Sequence, residues 1–339
     1  MVFIPKQHGI DMRKPKVVVT NPAFPETLEL LASHCEVVSN PGPGPLARPE
    51  LLALCLDAQA IVAFMPDRID DDFLRECPSL RIVGCALKGF DNFDVAACTR
   101  RKIWITAVPD LLTEPTAELA LGLMISLGRH ILGADAHLRS GGFQGWRPTF
   151  YGRSIDGSAV GILGGGAVGA AIARKLSGFQ CRTLVYDPDP VRQLPSTARW
   201  ATAGEVLSQS DFLVSALPLV PGTLHYLDEQ RLAHVKRGCL LVNPSRGSVV
   251  HEEAVVRALK SGQLGGYAAD VFEFEDWARS DRPLEVHPEL IAMADKTVLT
   301  THIGSAVTEV RRKIERDAAL NVLEALRGER PHGAINQVG

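Results

Sequence analysis

AVGILGGGAVGAAIARKL, residues 159–176, is the stretch on which the reading of this chain turns. AVGIL reads as a buried strand and AVGAAIARKL as a helix, and the glycines between them supply G-x-G-x-x-G from Gly164 through Gly165, Gly166, Ala167 and Val168 to Gly169. Gly164 permits a tight turn, Gly166 lets backbone approach a pyrophosphate, and Gly169 lets helix and strand pack closely. The helix start then offers unpaired N–H groups and the positive end of its dipole to phosphate oxygens. The next strand, TLVYD, ends in Asp187. A carboxylate there accepts hydrogen bonds from adenosine ribose hydroxyls and repels a 2′-phosphate, so NAD is expected over NADP. Arg192 stands close enough in sequence to soften that choice, and a plain turn residue ahead of Pro188 is the other reading of Asp187.

Working outward, short β-branched runs alternate with helical stretches on both sides. Upstream, KVVVT (16–20), EVV (36–38), QAIVAFM (59–65), RIVGCA (81–86) and WITAV (104–108) read as strands. A long helical segment is expected over 114–141. Downstream come TLVYD (183–187), FLVSALP (212–218), CLLVN (239–243), GYAADVF (266–272) and TVLTT (297–301), then a last helix over 306–329. Strands alternating with helices imply α/β architecture with parallel sheets, here two series and hence two domains, about 16–109 and 110–305.

The bulk numbers exclude several function classes. With 36 basic against 39 acidic residues the net charge is −3, which leaves no electrostatic footprint for nucleic acid or an anionic membrane. No apolar run reaches the ~18 residues of a spanning helix, and MVFIPKQHGIDMRKPK reads as a polar lead-in, with Met12 as an alternative start. The seven cysteines are scattered and never form a CxxC pair, so neither a zinc site nor a disulfide framework is expected, and a cytoplasmic location is.

Three residues stand at expected strand ends of the second series: Arg246 in NPSRGSVV, Glu275 in DVFEFED and His302 in THIGSA. An Arg to bind an anion with a planar fork, a His to move a proton and a Glu to hold the imidazole suit oxidation of an anionic substrate. Taken singly, each is more readily structural: an Arg in a salt bridge, a Glu on a solvated loop, a satisfied His.

GILGGGAVG, NPSRGSVV, AADVFEFE and THIGSA resemble, in order, the signature segments of the D-2-hydroxyacid dehydrogenase family. The resemblance implies two Rossmann-like or flavodoxin-like domains with an active-site cleft between them. It returns the last helix to the first domain, so 16–109 plus 306–339 form a discontinuous substrate domain. The NAD-binding domain then spans 110–305, with 110–152 as its dimerisation segment. Arg246, Glu275 and His302 are the implied catalytic residues. Cofactor contacts are expected from Gly164, Gly166, Ala167, Val168, Gly169, Asp187, Leu217, Pro218, Asn243, Ser245, Arg246, Asp270 and His302.

Hydroxy-acid enzymes of the family usually read G-x-G-x-D-N-I-D where this chain has VGCALKGFDNFDV (83–95). Lys88 adds a mobile cation there, which suits a compact oxyanion, although alone it reads as a solvated lysine. VAFMPDRID (62–70), VPDLLTEPTAELALGL (108–123), RSGGFQGWRPTFYG (139–152) and GGYAADVFEFEDWARSDRP (265–283) extend a similarity to the phosphonate (phosphite) dehydrogenases. That similarity places Met65, Lys88, Gly89, Arg246, His302, Ser305 and Arg311 at the substrate, with Trp146 and Tyr151 contributed across a homodimer interface. It implies oxidation of phosphite by NAD⁺ with water as nucleophile. The alternatives are a glyoxylate or hydroxypyruvate reductase and, from another class, a dinucleotide-sensing co-regulator resembling the C-terminal-binding proteins.

Overall fold

The near-continuous apolar runs make strands buried on both faces, which only a parallel sheet covered by helices on each side can satisfy. The computed structural model describes residues 14–108 and 110–338. The polar lead-in and Met12 fall outside them. The chain divides into two compact units. One comprises the residues up to Leu87, Phe93–Val108 and everything from Arg312 onward; the other comprises Lys88–Asn92 and the residues after Val108 as far as Arg311.

In the first unit β1 (Lys16–Val19), β2 (Glu36–Ser39), β3 (Ala60–Ala63), β4 (Ile82–Cys85) and β5 (Trp104–Thr106) form a five-stranded sheet in the order β2-β1-β3-β4-β5, every pair parallel. The last helix runs from Thr308 to Leu326, shorter than expected at both ends. It lies directly on β4: a Cβ at Gly84 would stand 2.7 Å from Val322 Cγ2. The sequence reading put residues 88–92 in the first domain and the last segment's boundary at 306. The structure groups Lys88–Asn92 with the second unit and places the boundary at Arg312.

The turn after β3 carries Met65 and is tied down by Asp67, which is 3% exposed. The Asp67 carboxylate accepts the Phe64 N–H at 2.7 Å and the Thr20 hydroxyl. Burial pushes its pKa up to about 6, the two hydrogen bonds opposing. An acid whose pKa is raised by folding favours the native state most below its unfolded value, and that contribution is lost as pH rises through the folded value. Between about pH 4 and 7 the wild type is therefore expected to lose on the order of 3 kcal/mol of unfolding free energy relative to Asp67→Asn. Urea unfolding of both proteins across that range checks this, and parallel curves would refute it.

The second unit holds β6 (Ala159–Leu163), β7 (Arg182–Tyr186), β8 (Ala198–Trp200), β9 (Phe212–Ser215), β10 (Cys239–Asn243), β11 (Leu264–Ala269) and β12 (Thr297–Leu299). Their order is β12-β11-β10-β9-β6-β7-β8, all parallel. Successive residues feed opposite faces: Phe212 and Val214 join one core cluster, while Leu213 joins the other. Strand order reverses between β6 and β9, which is where open α/β sheets bind ligands. The short strand β8 has only Ala, Arg and Trp and gave no sequence signal.

The helical segment expected over 114–141 consists of two helices, Thr113–Gly128 and Ile131–Arg139, bent by 62°. His130 at φ +50° ends the first and starts the second, a left-handed step that no continuous helix accommodates. Among the described residues no single helix is long and apolar enough to cross a membrane. Six of the seven cysteines are buried. Burial pushes the Cys55, Cys98 and Cys239 thiols up to about 12, so none of these three is a ready nucleophile.

Candidate active site

The fingerprint turn follows β6 at the strand-order reversal, and its helix, Ala167–Leu176, starts from Gly166. Its three glycines are required for different reasons. Gly164 sits at φ +98°, a conformation that L side chains rarely adopt, with the Ala216 carbonyl oxygen 2.6 Å from where its Cβ would be. A Cβ at Gly169 would lie 1.9 Å from the Gly164 carbonyl oxygen. Gly166 is exposed, and nothing stands within 4 Å of the Cβ it lacks. Nothing in the protein's own packing demands a glycine there, whereas close approach of a pyrophosphate does. The residues present therefore fit a dinucleotide.

Asp187, one residue beyond β7, accepts the Gly165 N–H through Oδ2 at 2.7 Å and the Asp189 N–H through Oδ1 at 2.9 Å. Each oxygen keeps a further lone pair for a ribose hydroxyl. Ala167 and Val168 are half-buried in the first turn of the helix, Leu217 is buried just beyond β9, and Pro218 is exposed.

Beyond β10 the chain makes a hydrogen-bonded turn. Asn243 Oδ1 accepts from the Ser245 N–H at 3.2 Å and hydroxyl at 2.8 Å, and its amide donates to the Arg246 carbonyl at 2.9 Å. Ser245 also meets Ser215, 3.0 Å between hydroxyls. Arg246 thus leaves the strand in a fixed direction. Its Nε donates to Asp91 at 3.1 Å and one terminal nitrogen to the Ser245 carbonyl at 2.9 Å. The other terminal nitrogen presses on Gly89, where a Cβ would lie only 1.6 Å from it. The Lys88–Asn92 segment is thereby fitted around the guanidinium.

Lys88 is half-buried, with Nζ 3.4 Å from the Thr113 hydroxyl and 3.8 Å from the Asp110 carboxylate. Burial pushes its pKa down, and Asp110 opposes this.

Glu275 and His302 meet as expected, with Oε2 2.7 Å from Nδ1. A carboxylate can only accept, so Nδ1 carries the proton and Nε2 is the nitrogen left to act as a base. The other Glu275 oxygen accepts the Phe272 N–H at 2.8 Å. His302 sits at φ +55°, in the left-handed region that costs a non-glycine residue about 1–3 kcal/mol. Asp270, 1% exposed, holds it there. The Asp270 carbonyl accepts the His302 N–H, and its carboxylate accepts the Ile303 and Gly304 N–H groups, each at 2.8 Å, and the Thr300 hydroxyl at 2.6 Å. Those bonds make Asp270 the organiser of the histidine turn.

Sequence reasoning missed the residues that lock the arginine and glutamate turns together. A Cβ at Gly247 would lie 1.9 Å from the Phe272 carbonyl carbon, so the two backbones touch. Asp276 accepts the Ser248 N–H at 2.7 Å. Glu252 and Glu273 accept each other's backbone N–H, both at 2.8 Å. Burial pushes the Asp276 and Glu252 carboxyls up. Asp91 also went unremarked, because its partner Arg246 lies 155 residues away.

The remaining expected residues are spread more widely. Ser305 is half-buried in the turn after His302, and Arg311 is half-buried early in the last helix. Met65 lies in the first unit, in the turn that Asp67 holds. Trp146 and Tyr151 are 83% and 77% exposed. Among the described residues no group of three or more His, Cys, Asp or Glu is arranged to hold a metal ion.

Residues 121–304 match the model of the D-isomer specific 2-hydroxyacid dehydrogenase NAD binding domain. The glyoxylate reductase of Pyrococcus furiosus is 37% identical over 332 residues, covering 96% of each chain. The chain belongs to the D-isomer-specific 2-hydroxyacid dehydrogenase family. It is accordingly an NAD-dependent oxidoreductase with that family's NAD-binding domain. Among solved structures, the TT0316 protein of Thermus thermophilus superposes with a TM-score of 0.85 at 30% identity, covering 95% of this chain and 100% of that one. The NADPH-dependent glyoxylate/hydroxypyruvate reductase of Sinorhizobium meliloti, in complex with NADP and malonate, superposes with a TM-score of 0.80 at 26% identity, covering 95% and 97%. The two-sheet α/β architecture is thus that of the dehydrogenase family.

Proposed function

We propose that this dehydrogenase oxidises phosphite to phosphate: HPO₃²⁻ + NAD⁺ + H₂O gives HPO₄²⁻ + NADH + H⁺. The observation that carries this reading is the Lys88–Asp91 segment around Arg246, which sets a lysine on the same short loop that cradles the arginine fork. Two cations suit a compact oxyanion better than a single carboxylate. Burial pushes the Lys88 pKa down by desolvating its ammonium, and an anion beside it would supply compensating opposite charge.

In this reading Arg246 and Lys88 hold the phosphite oxygens and offset the charge that builds as water adds. His302 Nε2 takes the proton of the attacking water, and Glu275 stabilises the imidazolium through Nδ1–H. Bound NAD⁺ supplies the hydride acceptor. The residues expected to hold it are Gly164, Gly166, Gly169 and the helix start on the pyrophosphate, and Asp187 on the adenosine ribose. Ser305 and Arg311 complete the substrate set in the second unit. The active form is a cytoplasmic homodimer joined through 110–152, whose exposed apolar arm includes Leu138, Phe143, Trp146 and Tyr151.

A second reading, reduction of glyoxylate or hydroxypyruvate, is favoured by the names of the relatives, and it uses the same Arg, Glu and His. Incubating purified enzyme with NAD⁺ and phosphite, and separately with a panel of D-2-hydroxy acids, decides between them. NADH formation on phosphite with little on the panel supports the first. Turnover confined to the hydroxy acids would overturn it in favour of the second.

A further inference from the structure

The fingerprint contains a fourth glycine whose backbone does not explain it. Gly164, Gly165 and Gly166 are consecutive, and such a run is conformationally loose unless something confines it. Gly165 is buried and lies outside the left-handed region. What forbids a side chain there is Trp200, the last residue of β8. A Cβ at Gly165 would stand 2.4 Å from Trp200 Cη2 and 2.6 Å from Cζ3. The same point lies 3.3 Å from Asp187 Cβ, and the Gly165 N–H is the one that Asp187 accepts. Trp200 pairs in register with Val185, two residues before Asp187, and its ring packs on the core cluster that includes Ala171, Ile172 and Val185.

We propose that Trp200 is a cofactor-positioning residue. Its indole edge fills the space that a side chain at 165 would take. It thereby pins the Gly164–Gly166 turn and fixes Asp187 at the adenosine end of the dinucleotide site. The proposal rests on the assignment of Asp187 to the ribose.

ADP-ribose carries the pyrophosphate and adenosine ribose without the nicotinamide, so its binding by calorimetry reads this half of the site apart from turnover. Trp200→Ala is expected to weaken it by about tenfold, with the kinetic change falling on KM for NAD⁺ more than on kcat. Gly165→Ala should weaken it by a similar factor in the wild type but by less than about twofold once Trp200→Ala is present, since the ring that its methyl would strike is gone. Unchanged affinity in Trp200→Ala, or fully additive effects, overturns the proposal.

Trp200→Phe provides a gentler check if the alanine variant does not fold. NAD⁺-dependent quenching of tryptophan fluorescence should then largely vanish although Trp104, Trp146 and Trp277 remain, and full retention of it counts against the proposal. If Asp187→Ala loses ADP-ribose while Trp200 variants keep it, only Trp200 is misassigned. If Asp187→Ala binds as the wild type does, the ribose assignment falls and this inference with it.

Discussion

His302→Gln is expected to lower kcat by about 10²–10⁴, the usual contribution of a positioned general base, while the affinity for NAD⁺ stays within about threefold. Glutamine keeps polar atoms near the imidazole but cannot accept a proton at neutral pH. The Glu275 contact at 2.7 Å makes His302 a base with a fixed tautomer, so the loss should appear in kcat. Stopped-flow turnover together with calorimetric NAD⁺ binding checks both halves. A kcat within tenfold of the wild type would mean that another group takes the proton.

Arg246→Lys is expected to cost roughly 3–4 kcal/mol of transition-state binding, two to three orders of magnitude in kcat/KM. The arginine makes two kinds of contact at once. Nε is committed to Asp91 and one terminal nitrogen to the Ser245 carbonyl, and these fix the plane of the fork. Lysine has no second nitrogen with which to engage Asp91 while reaching an anion, and Asp91 would be left largely buried beside a displaced charge. Gly89→Ala should reproduce part of the defect, because its methyl would occupy the position of the guanidinium. Steady-state kinetics on the preferred substrate suffices, and near-normal turnover of Arg246→Lys would remove that residue from the site.

Much of this protein was legible in its residues. The alternation of β-branched runs with helical stretches implied two parallel sheets, because both kinds of periodicity are local properties of the backbone. The glycine fingerprint, Asp187 and the order Arg246, Glu275, His302 were visible because each sits at a strand end whose strand is itself visible. The bend at His130 was not, since 114–141 is apolar and helix-compatible throughout and one left-handed residue decides the break. Nor was β8, where a three-residue strand leaves too little pattern to detect.

Sequence by itself determined the architecture, the dinucleotide cradle and the chemical types available for catalysis, for these follow from spacing along the chain. Tertiary structure alone decided their partners. Asp91 clasps an arginine 155 residues away, Asp270 holds His302 in a left-handed conformation, and Trp200 leaves no room for a side chain at Gly165. Such pairings depend on strand order and close backbone approach. No local pattern encodes them, because residues far apart in sequence become neighbours only after the sheet has formed.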